Sequence, residues 1–173
     1  MIVQQADVKD AEEILTLQKL AYLTEAETYQ DFTLPPMTQT LAELVDDFGS
    51  HLMLKAVVDG RIIGSVKGGL HNGACHIGRL MVHPDFQGRG IGTLLMAEIE
   101  AAFPGVQRFE LFTGHRSKGN ISLYERLGYR IFTTATVGPL LTLVYMEKRR
   151  RKRTAERIVS EIRRTEAVNA EGA

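Results

Sequence analysis

The chain has little with which to cross-link itself, cross a membrane or carry a net charge. A single cysteine, Cys75, excludes an intrachain disulfide and fits a reducing compartment. No apolar run approaches the roughly 20 residues that a membrane helix needs. Residues 1–25 carry acids where a secretory leader would have a basic start and an apolar stretch. These absences predict a cytoplasmic protein with no membrane partner. No G-x-x-x-x-G-K-[ST] string occurs, which excludes the phosphate loop of nucleotide hydrolases, and no internal repeat is present. His71 and His76 lack helical metal spacing and have no partner ligands nearby in sequence, so no metal is expected.

What is present is ordinary for one globular domain with a short appendage: 173 residues, 44% hydrophobic and 24% charged. The net charge of zero hides a division. Residues 148–173 hold 9 Lys/Arg against 4 Glu, whereas residues 1–50 hold 2 Lys against 10 Asp/Glu. The expected boundaries are therefore a domain over 1–147 and a basic tail over 148–173.

Patterning predicts a short strand over residues 2–6 and a helix capped by Asp7, with Val8, Ala11, Ile14, Leu15 and Tyr22 at helical spacing. Residues 24–37 read as irregular, with Pro35-Pro36 blocking a helix. Thr38 or Thr40 starts a second helix that Gly49 ends. Strands over 52–58 and 61–70 pair around Asp59-Gly60, a strong hairpin signal. Strands over 75–82 and 108–113 enclose a helix over 91–103. A helix over 120–127 and strands over 129–134 and 140–147 complete an α/β domain with a mixed, mostly antiparallel sheet and about four helices.

Gln87-Gly88-Arg89-Gly90-Ile91-Gly92 lies between the strand ending at Val82 and the helix starting near Ile91. A glycine-rich strand-to-helix turn leaves backbone N–H groups unshielded, and the first turn of a helix has unpaired donors with partial positive charge. Such a junction suits a phosphate or pyrophosphate. It is no dinucleotide fingerprint, because G-x-G-x-x-G would require glycine where Thr93 stands.

Residues Ile77 to Gly92, with the [RQ]-x-x-G-x-[GA] core at Gln87, Gly90 and Gly92, resemble motif A of the GNAT superfamily of N-acetyltransferases. Residues Asn120 to Tyr129 resemble motif B of the same family, about 30 residues downstream. The resemblance covers roughly residues 1–147. It implies acetyl-CoA as cosubstrate, with its pyrophosphate on the amides of Gln87, Gly88, Arg89, Gly90, Ile91, Gly92 and Thr93. Backbone groups around Leu80, Met81 and Val82 would pair with the pantetheine like an added strand. Tyr124 would protonate the departing thiolate, since a phenol of pKa about 10 remains a donor at neutral pH. Asn120, four residues earlier on the same helical face, would bond the pantetheine or position Tyr124.

His76 occupies a strand position where some members carry a glutamate base, and it is the candidate general base; water is the alternative. Alternation places His76, Gly78 and Leu80 on one face and Cys75, Ile77 and Arg79 on the other. Cys75 is therefore read as a buried hydrophobe rather than a nucleophile. His115-Arg116-Ser117-Lys118 reads as an exposed loop.

In this superfamily the N-terminal helices help build the acceptor pocket. Here that segment carries Glu25, Glu27, Tyr29 and Asp31, with Asp46 and Asp47 further on, and acids with aromatics suit a cationic amine. Glu25 and Tyr29 are the candidate acceptor contacts. The implied activity is acetyl transfer to a primary amine of a small cationic metabolite. The alternatives are a protein N-terminal or lysine acetyltransferase, or a non-catalytic acyl-CoA-binding sensor. In the tail, Ala155, Ile158, Val159 and Ile162 form an apolar stripe that suits packing on the domain or in a homodimer. The lack of a tail aromatic to stack on bases argues against a nucleic-acid partner.

Overall fold

The structure is a computed structural model that describes residues 1–150. The expected tail helix falls on residues 151–173, outside the described residues. The chain opens with β1 (Ile2–Gln5) and a 3-10 turn over Val8–Asp10, then α1 (Ala11–Tyr29), the single turn α2 (Pro35–Thr38) and α3 (Leu41–Asp47). The hairpin strands β2 (Leu52–Val58), β3 (Arg61–His71) and β4 (Ala74–Val82) follow, then α4 (Ile91–Ala101), β5 (Arg108–Gly114), α5 (Lys118–Arg126), β6 (Arg130–Thr136) and β7 (Thr142–Arg149).

The seven strands lie in the order β1-β2-β3-β4-β5-β7-β6, and every neighbouring pair is antiparallel except β4–β5. This is the mixed α/β sheet the sequence predicts, flanked among the described residues by five helices, one of them the single turn α2. Asp59 and Gly60 both take positive φ, 49° and 78°, which is the turn that a two-residue β2–β3 hairpin requires.

The first helix departs most from expectation. Asp7 does cap it, through a reciprocal box with Asp10, but the first turn is 3-10. From Ala11 the helix then runs unbroken to Tyr29, through much of the segment read as irregular, and ends on a left-handed Gln30. Thr40 caps α3 in a second capping box with Glu43. At the other end, β7 continues through Arg149, and Arg150 donates to the carbonyls of Glu100, Phe103 and Pro104 at the end of α4. The last strand and its contacts therefore run past residue 147.

Two cores hold the layers. On one face α1 and α3 bury Ala11, Ile14, Leu17 and Leu44 against Met53, Ile62 and Met81. On the other, α4 and α5 bury Leu95, Met96, Ile99 and Tyr124 against Val66, Cys75, Ile77, Phe109 and Met146. Each such large side chain contributes roughly 1.5–3 kcal/mol by leaving water, so both helix layers are fixed on the sheet.

Candidate active site

β4 and β5 are partners at only two positions, Cys75–Phe109 and His76–Glu110. Both strands continue beyond this point, to Val82 and Gly114, without a shared ladder. Their facing backbone groups are therefore left for another partner, as backbone polar groups demand one.

A bulge in β4 accompanies the separation. Gly78 faces Lys67 and Met81 faces Ser65, so Arg79 and Leu80 together oppose Val66. Arg79 takes φ 51°, a left-handed conformation uncommon outside glycine. The extra residue shifts the alternation. Leu80 and Val82 join the α4-side core with Cys75 and Ile77, while Arg79 lies over the ring of Tyr22 on α1. Leu80 thus faces away from His76, and Arg79 away from Cys75. This corrects the even alternation read from the sequence.

Past Val82, a 3-10 turn over Pro84–Phe86 leads into the glycine turn. The side chain of Gln87 donates to the Val82 carbonyl, 3.2 Å away. Arg89 folds back on the turn, its guanidinium donating to the Asp85 carbonyl and lying over Phe86. Gly88 and Gly90 take φ 72° and 79°. Gly90 is the N-cap of α4 and supplies no side-chain cap, so the amides of Ile91, Gly92 and Thr93 keep their donors. The fold places these donors at the end of the strand whose edge is free.

Layers from both faces of the sheet meet through the opening between β4 and β5. Glu25 on α1 accepts hydrogen bonds from Ser117 Oγ at 2.6 Å and Asn120 Nδ2 at 3.3 Å. Asn120 is thus turned to a carboxylate. Tyr124, 6% exposed, packs on Tyr129. Burial, with Tyr22 and Glu25 nearby, pushes its phenol well above the usual tyrosine range. It is held in its protonated form. Burial likewise raises Tyr22, with Arg79 working against it.

Two candidate residues lie apart from this cluster. Tyr29 is 2% exposed, and its hydroxyl accepts from the Arg116 N–H at 2.7 Å. It pins α1 to the β5–α5 connection. His76 sits where β4 and β5 are still joined, with Nε2 3.8 Å from Glu110 and its ring edge-on to His71. The charged and phenolic neighbours that perturb Tyr124 are Tyr22 and Glu25, not His76. Cys75 is fully buried, and burial pushes its thiol up to about 11, as suits a core residue. Sequence reading passed over two further site residues, Tyr22 and Arg79. Tyr22 was counted only as core, and nothing in the letters marks the bulge that turns Arg79 toward it.

Among the described residues no helix is long and apolar enough to cross a membrane. The same fold occurs in the crystal structure of the PaiA N-acetyltransferase from Thermoplasma acidophilum in complex with coenzyme A. It superposes with a TM-score of 0.71 at 17% identity over 87% of this chain and 100% of that one. A putative acetyltransferase from Salmonella typhimurium, solved with acetyl-CoA, gives 0.67 at 22% identity over 86% and 93%. In sequence, the chain is 37% identical to an acetyltransferase of Pectobacterium atrosepticum over 94 residues, 52% of this chain and 65% of that protein. One from Sodalis glossinidius is 37% identical over 84 residues, 46% and 58% respectively. The chain thus spans less than two thirds of the length of these curated relatives. The model of the acetyltransferase (GNAT) family matches residues 12–129, most of the domain and both sides of the opening. With this match added to the split β4–β5 pair and the uncapped glycine turn, the chain belongs to the GNAT family of acetyltransferases.

Proposed function

We propose that the protein transfers acetyl from acetyl-CoA directly to a primary amine of a small cationic metabolite. The observation that carries this is the continuity of three features. An unpaired strand edge past His76, the free donors at Gly90–Thr93 and the buried hydroxyl of Tyr124 lie along one opening. These features fit the ligand. The amides of residues 87–93 suit its pyrophosphate, and the backbone of Leu80, Met81 and Val82 suits its amide-bearing arm.

Bound acetyl-CoA supplies the activated acyl group: a C–N bond forms to the amine as the C–S bond breaks. Glu25 draws the ammonium by charge and is the carboxylate placed beside Tyr124. The proton lost by the ammonium passes to Glu25 or to water in the mouth. Tyr124 gives its proton to the departing sulfur and recovers one from solvent. Asn120 and Ser117 hold the Glu25 carboxylate in place. His76 stands outside this sequence of proton movements.

An acceptor screen with purified protein tests the reading, following free thiol release above the hydrolysis background. A small primary amine is expected to stimulate release, and Glu25→Gln to raise its KM. Tight acetyl-CoA binding with no amine-dependent release would leave a sensor instead. Preferred acetylation of protein N-termini or lysines would replace the metabolite. If His76→Ala abolished the alkaline rise of the rate, His76 would regain the base role.

A further inference from the structure

Arg79 is a cation without an anion. It lies on the bulge of β4 in a left-handed conformation that costs about 1–2 kcal/mol for an L-residue. Strain of this kind concentrates where a side chain must be aimed. Its Nε is buried and, among the described residues, has no hydrogen-bond partner. Among the described residues it enters none of the ion pairs. Its guanidinium carbon stands 6.0 Å from the centroid of the Tyr22 ring. Glu25 is three residues further along α1, one helical turn from Tyr22, and acts on that same phenol. Tyr22 in turn neighbours Tyr124. A carboxylate and a guanidinium therefore flank one aromatic ring at the acceptor side of the opening.

Arg79 is half-buried, and a guanidinium presents a planar fork that matches a carboxylate with two parallel hydrogen bonds. A polyamine would set a second cation against Arg79. We infer that the acceptor is an amino acid or close analogue, whose amine is drawn to Glu25 while its carboxylate is taken by the guanidinium of Arg79. This deepens the acetyltransferase reading and rests on it. It separates the acceptor from simple amines and from protein N-termini, which lack a free carboxylate beside the amine.

Matched pairs test it: the common amino acids against their decarboxylated amines, such as lysine against cadaverine and phenylalanine against phenethylamine. In thiol-release assays the best amino acid is expected to exceed its decarboxylated partner at least tenfold in kcat/KM. Arg79→Met should reduce that ratio tenfold or more, and Arg79→Lys should restore part of it. Equal or better turnover of the decarboxylated amines, or a ratio that Arg79→Met leaves unchanged, overturns the inference. So does acetylation confined to compounds without a carboxylate.

A second measurement needs no turnover. At millimolar concentration the preferred amino acid should raise the melting temperature of the wild type and not of Arg79→Met, through ligand linkage. No rise with any amino acid also overturns the inference. Calorimetry with acetyl-CoA keeps the two failures apart. Loss of acetyl-CoA binding in the wild type would sink the acetyltransferase reading. Intact binding with the wrong acceptor preference would sink only the role of Arg79. An acetyl-CoA affinity that falls in Arg79→Met as much as acceptor affinity would reassign the residue to the donor side.

Discussion

Substituting Gly90 by alanine isolates the physical content of the glycine turn. Gly90 caps α4 with φ 79°, and a Cβ built there meets nothing within 4 Å. The substitution therefore adds no clash within the protein and acts only through the backbone, where an L-residue in the left-handed region costs about 1–2 kcal/mol. That cost must appear in one of two places. If the turn keeps its shape, folding stability falls by this amount, which for a domain of this size lowers Tm by about 2–8 °C, and coenzyme affinity stays close to wild type. If the free turn relaxes to negative φ, Tm holds, and coenzyme must restore the strained form on binding. Its Kd then rises about 5–30-fold, at tenfold per 1.4 kcal/mol. Scanning calorimetry and titration calorimetry with coenzyme A read the two terms, whose sum is expected to lie near 1–2 kcal/mol. Gly92→Ala is the control. Its φ is not positive, its Cβ would lie 3.5 Å from Leu123, an ordinary contact, and α4 should be no less stable for it. A Gly90→Ala protein with unchanged Tm and unchanged Kd would refute the claim that this turn is conformationally set for a phosphate.

Three further expectations follow from the geometry. Tyr124→Phe should lower kcat by about 10²–10⁴-fold with little change in Tm; because burial raises the phenol, the wild-type donor stays protonated across neutral and mildly alkaline pH, and an alkaline limb within that range must belong to another group. Cys75→Ala should retain turnover, and iodoacetamide should label native Cys75 far more slowly than unfolded chain at pH 8, because its thiol is buried and pushed up to about 11; rapid labelling coupled to loss of activity would reopen a thiol mechanism. Burial pushes the Asp47 carboxyl up, but hydrogen bonds from Lys67 Nζ at 2.7 Å and Gln39 Nε2 at 2.8 Å outweigh it and hold the group below its ordinary value. Its contribution is therefore present above the unfolded value and lost as pH falls through the lower folded one, so Lys67→Met should cost about 1–3 kcal/mol near neutrality, and denaturant melts should show the gap to wild type closing below about pH 4.

Where a residue's identity fixes its backbone, the sequence was a sufficient guide. Asp59-Gly60 declared the hairpin, Thr38 or Thr40 marked the start of α3, and Gly88 and Gly90 declared the turn, because positive φ and cap geometry favour few residue types. α1 was read too short for a related reason. Ala26 and Tyr29 continue the row of Tyr22 at four and seven residues, which is helical spacing, and both are buried. The acids Glu25 and Glu27 beside them made the segment look like surface loop, and Pro35-Pro36 drew the boundary toward them. The prolines in fact begin a separate turn, α2.

Glu25 was a candidate from the letters, but its partners and the placement of Arg79 were illegible, because both owe their positions to long-range geometry. Glu25 meets Asn120 across 95 residues of sequence, and only because the β4–β5 ladder stops after two pairs. Arg79 reaches α1 only because β4 carries one extra residue against Val66, while Ile77-Gly78-Arg79-Leu80-Met81 reads as an even alternation. The bulge does two things at once. It accompanies the divergence of β4 from β5, which leaves the edge free on the donor side. It also reverses the facing of every residue after it, which sends Leu80 to the α4 core and Arg79 to the ring of Tyr22 on α1. The free strand edge and the placement of Arg79 beside Tyr22 thus share a single backbone irregularity. A sequence pattern with a strict period of two carries no mark of it.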